Sequence, residues 1–172
     1  MKKVLFLFAF CATVFSAQAQ FKIGPNVAVP AGVYSDFLSI ALGVDAYQMF
    51  GASEDAFLKF GVGAGFENYF GKNYDLAGQT FDGEGLPLLS LAAAIRFQIA
   101  GILTVGPDLG YAFFLKKDVG SGFYWRVVAG IDVADIVELN LFFHNVSEKI
   151  DLYDEDNTGN LGAIGLGALF EF

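Results

Sequence analysis

The last stretch of the chain, Leu161 to Phe172, leaves few folds open. Counting back from the end by twos gives Phe172, Phe170, Ala168, Leu166 and Ile164, all apolar. The other parity gives Glu171, Leu169, Gly167, Gly165 and Ala163, mostly small and carrying one charge. Side chains of an extended chain point alternately to opposite faces. The stretch therefore reads as a strand with one greasy face and one narrow, partly polar face.

The same rule governs the chain upstream. Turn-rich segments cut it into eight runs: about Phe21 to Val29, Phe37 to Phe50, Ala56 to Phe70, Leu86 to Ile99, Ile102 to Leu115, Gly122 to Val133, Ile136 to Val146, and the terminal strand. In the fourth run Leu89, Leu91, Ala93, Ile95, Phe97 and Ile99 share one face, against Ser90, Ala92, Ala94, Arg96 and Gln98. The sixth sets Phe123, Trp125, Val127, Ala129, Ile131 and Val133 against Tyr124, Arg126, Val128, Gly130 and Asp132. Runs two, three and seven divide in the same way, with Asp45, Lys59, Glu67 and Glu138 on their less apolar faces. Pro25 and Pro107 fall inside runs, where each removes a ladder hydrogen bond, so a bulge or an edge-like irregularity is expected at each.

Composition separates a membrane barrel from a soluble one. Hydrophobic residues make up 55% and charged residues 17% of the chain, with a mean hydropathy of +0.50. Beyond the N-terminal segment, no apolar run approaches the roughly 20 residues of a spanning helix. Alternation is the remaining way to distribute so much apolar surface, and it points to a transmembrane β-barrel. A soluble eight-stranded barrel such as a lipocalin is the structural rival. Three features favour the membrane: uninterrupted apolar faces, aromatics near strand ends (Phe50, Phe66, Phe70, Phe97, Trp125, Phe143), and a charged face rich in Gly and Ala, suited to a cramped interior.

The N-terminus reads as an address. Met1-Lys2-Lys3, an apolar run from Val4 to Phe15 and the Ala17-Gln18-Ala19 site have the form of a secretory signal peptide. Cleavage is expected after Ala19, leaving a signal over residues 1–19 and a barrel domain over 20–172. The only cysteine, Cys11, would leave with the signal, excluding disulfide and thiolate chemistry from the mature chain. Without Lys2 and Lys3 the formal charge of -9 becomes -11, which argues against a nucleic-acid partner.

Eight alternating runs, connections that are tight after runs two, four and six but longer elsewhere, and a terminal Phe172 together resemble the small outer-membrane β-barrels of Gram-negative bacteria. The resemblance is to the porin-family or outer membrane protein β-barrel domain, at the size of OmpA-type and OmpX-type barrels, and covers the whole chain. It implies an all-β, antiparallel, up-and-down barrel with both termini on the periplasmic side. It also implies outer-membrane lipids and lipopolysaccharide as surroundings and a monomeric state. The barrel-assembly machinery would read the last strand through Phe170 and Phe172.

With this register the inward set contains Lys22, Lys59, Arg96 and Arg126 as cations and Asp45, Glu67, Asp108, Asp132, Glu138 and Glu171 as anions. Eight strands leave an interior just wide enough for side chains to fill. Charges confined there must pair, because an isolated buried ion is very costly. A salt-bridge network closing the lumen is expected, with a narrow path for ions or small solutes as the alternative.

Catalysis finds little support. His144, the only histidine, lies in Phe142-Phe143-His144-Asn145-Val146-Ser147. Outer-membrane lipid A deacylases carry a serine two positions after the histidine; here that position is Val146, so their catalytic residues do not carry over. His144 reads as a polar residue at the barrel rim. The polar stretch Gly71 to Gly85 and the segment Ser147 to Asn160 read as long loops. Within the latter, Asp154-x-Asp156-x-Thr158-Gly159 echoes a calcium loop but has Gly165 where a bidentate Glu is needed. No cofactor or metal site is expected, and no enzyme, with a lipid-modifying outer-membrane enzyme as the second alternative to the closed barrel.

Overall fold

A computed structural model describes residues 19–51, 56–76, 79–81, 83–116, 120–134, 136–150 and 157–172. Eight long strands form one closed sheet: β1 (Ala19–Ala31), β2 (Leu38–Gly51), β3 (Leu58–Gly71), β6 (Leu86–Ile99), β7 (Leu103–Phe114), β8 (Ser121–Ala134), β9 (Val137–Ile150) and β10 (Asn157–Glu171). Two short strands, β4 (Tyr74–Leu76) and β5 (Gln79–Phe81), make a separate hairpin between β3 and β6. Every neighbouring pair is antiparallel, and β1 closes the ring against β10.

The stagger of the ring can be read from its partners. Starting at Phe21 they run through Gln48, Val62, Ala93, Leu109, Trp125, Asn145 and Gly162 and return to β1 at Ala31, ten residues further along. With a strand rise of about 3.3 Å and a spacing of about 4.8 Å, that stagger tilts the strands by about 40°. The backbone cylinder is then about 16 Å across. Such a cylinder holds side chains and little else.

The two faces separate as alternation dictates. The outward face is apolar around the ring, with Val62, Leu91, Leu109, Val127, Leu141 and Leu166 each more than half exposed. Aromatics flank this aliphatic belt: Phe21, Phe60, Phe97 and Phe170 toward the chain termini, and Phe66, Tyr111, Phe113 and Phe123 toward the longer loops. So large an apolar surface is stable in hydrocarbon and not in water, and a closed ring leaves no unpaired edge to cross it. Among the described residues no helix is long and apolar enough to cross a membrane; the strands would do so.

Several local expectations need correction. Pro25 and Pro107 each bring an irregularity in the ladder, but it is a lapse in pairing and not a bulge. The β1–β10 register is the same before Gly24-Pro25 and after it, and the β6–β7 register is the same on both sides of Gly106-Pro107; pairing simply lapses for two residues. The register shifts lie instead between Leu38 and Ala41 and between Asp132 and Ala134, at strand ends where a slip disturbs little of the ladder. The Gly71 to Gly85 stretch contains the β4–β5 hairpin and is not structureless. Most of Ser147 to Asn160 continues the barrel wall, since β9 runs to Ile150 and β10 begins at Asn157. Asp154 and Asp156 of the calcium-like stretch lie outside the described residues, as do residues 1–18 with Ala17 and Cys11; Ala19 opens β1 opposite Phe50.

The turns follow local chemistry. Ala100 and Gly101, between β6 and β7, both have positive φ (53° and 73°), the backbone twist a tight hairpin needs. On the loop side, a short 3₁₀ turn over Val33–Asp36 links β1 to β2. Lys116 pairs with Glu84 across two neighbouring loops, and its ammonium holds the Glu84 carboxyl below the usual carboxylate range.

Candidate functional site in the barrel lumen

The inward side chains form layers along the barrel axis. At the end where β1 begins and β10 ends lies a cavity of about 380 Å³, lined among others by Lys22, Lys59, Arg96, Asp132, Glu138 and Glu171. Lys22 Nζ sits 2.9 Å from Glu138 Oε2 and 3.2 Å from Glu171 Oε2. Lys59 donates to Gln20 Oε1 at 2.9 Å.

Arg96 links this mouth to the next layer. Its Nη1 donates to Asp108 and also reaches the carbonyl oxygens of Ile95 (3.0 Å) and Pro107 (3.3 Å). These carbonyls flank the lapse at Gly106-Pro107, where the proline nitrogen has no hydrogen to give. The guanidinium supplies a donor at the gap. Tyr47 OH holds the other Asp108 oxygen at 2.8 Å, and its ring lies 5.1 Å under the Arg96 guanidinium.

Mid-barrel, Arg126 Nη1 meets Asp45 Oδ2 at 2.9 Å, and Asn26 Nδ2 donates to the same oxygen at 2.8 Å. The Arg126 guanidinium also stacks 3.6 Å above the Phe142 ring. Arg126 and Asp108 are among the most deeply buried side chains of the protein. Charges this deep persist only when paired and hydrogen-bonded.

His144 lies one step further toward the loops, and here the rim placement fails. It is 0% exposed, enclosed by Tyr69, Tyr124, Phe142 and Glu67. Tyr69 OH donates to Glu67 Oε2 at 2.9 Å and lies 2.7 Å from His144 Nε2. A hydroxyl has one proton to give. If it goes to Glu67, Nε2 carries the imidazole hydrogen toward the Tyr69 oxygen, and Nδ1 becomes an acceptor with no hydrogen-bond partner among the described residues. The burial follows from inward parity midway along β9, a strand that runs past Val146.

Above this layer a plug of apolar side chains occupies the lumen. Leu38, Leu86, Leu88, Phe114, Val146 and Leu161 pack with Ala41, Ala112 and Ala163, all 8% exposed or less. Alternation alone did not announce this plug. The available signal was local: Leu86 and Leu88 beside Leu89, Phe113-Phe114 and Phe142-Phe143 place apolar residues on both faces near the loop side.

The lumen thus brings the ten inward charges into two groups. Lys22, Lys59, Arg96, Asp132, Glu138 and Glu171 surround the mouth, whereas Asp45, Glu67, Asp108 and Arg126 lie deeper among Tyr47, Tyr69, Asn26 and His144. Among the described residues no three potential ligands are placed to hold a metal ion. Phe170 and Phe172 lie outside the lumen, 41% and 79% exposed, with Phe172 N bonded to Phe21 O at 2.9 Å.

No protein-family model and no curated protein matches the sequence. Solved structures do match in fold. Ail of Yersinia pestis in a phospholipid nanodisc superposes with a TM-score of 0.56 at 14% identity, covering 90% of this chain and 99% of that one. A de novo designed transmembrane β-barrel gives 0.53 at 10% identity, covering 91% and 98%. Neisserial surface protein A gives 0.50 at 14% identity, covering 90% and 97%. The chain has the fold of these small eight-stranded transmembrane barrels.

Proposed function

We propose that the protein is an integral outer-membrane barrel with a closed lumen, serving envelope structure and surface contact rather than transport or catalysis. The apolar plug over the buried charge network carries this reading. Ions would have to cross both a greasy constriction and a set of paired charges. His144 has no exposed atom and so cannot touch a substrate. Two features support the surface role: the β4–β5 hairpin on the loop side, and the likeness of fold to Ail, an attachment invasion locus protein. Outer-membrane lipids and lipopolysaccharide would cover the apolar belt of a monomer.

Conductance decides closure. Purified barrel in a planar lipid bilayer is expected to show no steady channel openings, and a reproducible unitary conductance would overturn the closed lumen.

Phe172 offers a separate check on the outer-membrane route. Its side chain is 79% exposed and packs against little of the barrel, so its deletion should cost little stability once the barrel is folded. Insertion in cells is expected to slow markedly, because the terminal aromatic would be the feature the assembly machinery recognises. Pulse-chase appearance of the heat-modifiable band measures this, and insertion at the parent rate would contradict the signal role.

A further inference from the structure

The start of β1 brings one carboxamide into the charged mouth. Gln20 lines the cavity beside Lys22, Lys59 and Arg96, and Lys59 Nζ donates to Gln20 Oε1 at 2.9 Å. Lys22 and Arg96 are met by carboxylates of the protein itself. Lys59 instead has a neutral carbonyl oxygen as its hydrogen-bond acceptor here. Gln20 also stands at the end of its strand. It pairs with Met49 of β2, whereas the β10 ladder begins only at Lys22.

Cleavage after Ala19 would turn the backbone nitrogen of Gln20 into a free α-amine. Such an amine and the side-chain amide carbon of the same glutamine are tethered for ring closure, which replaces an encounter by an intramolecular step. An α-amine keeps a substantial neutral, nucleophilic fraction near a pH of about 8. The amide carbon still has to be made electrophilic, and Lys59 is placed to do so. Its ammonium on Oε1 draws electrons from Cδ and stabilises the negative charge that grows on that oxygen during attack. Lys59 is 8% exposed, so water screens this contact little.

We propose that the mature chain begins at Gln20 and that this residue closes to pyroglutamate in the folded barrel, with Lys59 polarising the carboxamide. The α-nitrogen bonds to Cδ, and Oε1 carries the charge of the tetrahedral intermediate against Lys59. The Cδ–Nε2 bond then breaks, and Nε2 leaves as ammonia with the proton given up by the α-nitrogen. The product keeps a carbonyl oxygen for Lys59 and places no α-ammonium beside Lys22 and Lys59. A ring is tolerated there as proline is at the first residue of a strand. Cleavage after Ala19 is the premise, and the mass of the N-terminal peptide tests premise and ring closure separately.

The test is pulse-chase isotope labelling of cells expressing the full chain, with the folded and unfolded gel bands cut out and their N-terminal peptides weighed. In the folded band the peptide is expected to begin at Gln20 and to be lighter by about 17 Da, the ammonia lost. At equal chase times the unfolded band should hold about tenfold less of the closed form, because Lys59 is not yet on Oε1. Lys59→Met should slow closure by about tenfold or more, and Lys59→Arg, which keeps a charged donor, should restore most of the rate. A chain that begins elsewhere would remove the premise, and a folded barrel that keeps an open Gln20 would overturn ring closure. Closure at the parent rate in Lys59→Met, or equal closure in the two bands of the parent, would overturn the part given to Lys59. Should Lys59→Met fail to fold, the two parent bands decide alone.

Discussion

Replacing Arg126 by methionine should destabilise the folded barrel by about 3–5 kcal/mol, the usual cost of removing one partner from a buried ion pair. Arg126 is 2% exposed and faces Asp45 at 2.9 Å, with Glu67 in the adjacent layer. Methionine fills much of the same volume and can still lie against Phe142. What disappears is the charge, which leaves the Asp45 carboxylate with the Asn26 amide as its remaining described hydrogen bond. Equilibrium unfolding in detergent or lipid, followed through Trp125, the only tryptophan, measures the loss. The double variant Arg126→Met with Asp45→Asn should recover a large part of it, because no uncompensated ion then remains at that layer. A single variant within about 1 kcal/mol of the parent would show that water reaches this layer and screens it.

Much of this architecture can be read by counting in twos. Leu86–Ile99 emerges with the bounds its alternation implies, and inward parity places Asp45, Arg126, Glu138 and Glu171 in one lumen. Parity says which face a side chain occupies, however, and not how far along the axis it sits. The stagger of the ring sets that height, and it depends on the pairing of all eight strands at once. His144 shows the consequence: its face was legible, yet its depth was misjudged because β9 continues beyond Val146 as strand. The plug stayed hidden for a related reason. Where Leu88 and Leu89 or Phe142 and Phe143 are both apolar, alternation loses contrast and the inward member passes unnoticed. The β4–β5 hairpin follows no apolar pattern, and its Gly and Asp content is equally natural in a loop.

The largest backbone effect is expected at Gly24 and Gly106, each of which precedes a proline. Pro25 and Pro107 offer no N–H to the neighbouring strand, and pairing lapses at both places without a change of register. The strands close up across the lapse. A Cβ built on Gly24 would run into the Ala168 carbonyl oxygen, and one on Gly106 into that of Ile95. Both obstacles are backbone, so neither can swing aside as a side chain could. Gly106→Ala must therefore push β6 from β7 and pull the Ile95 and Pro107 carbonyls away from Arg96, at a cost of about 3 kcal/mol or more. Gly24→Ala should behave alike at the closing seam, where the residue following the obstructing carbonyl is Leu169 and not an arginine. Gly101→Ala is the informative control. Its φ of 73° is strained for alanine, but no atom lies within 4 Å of the added carbon, so only about 1–2 kcal/mol is at stake. Denaturant midpoints should thus fall further for Gly24→Ala and Gly106→Ala than for Gly101→Ala. Equal losses at all three would mean that backbone freedom, and not close approach of strands, is what these glycines supply.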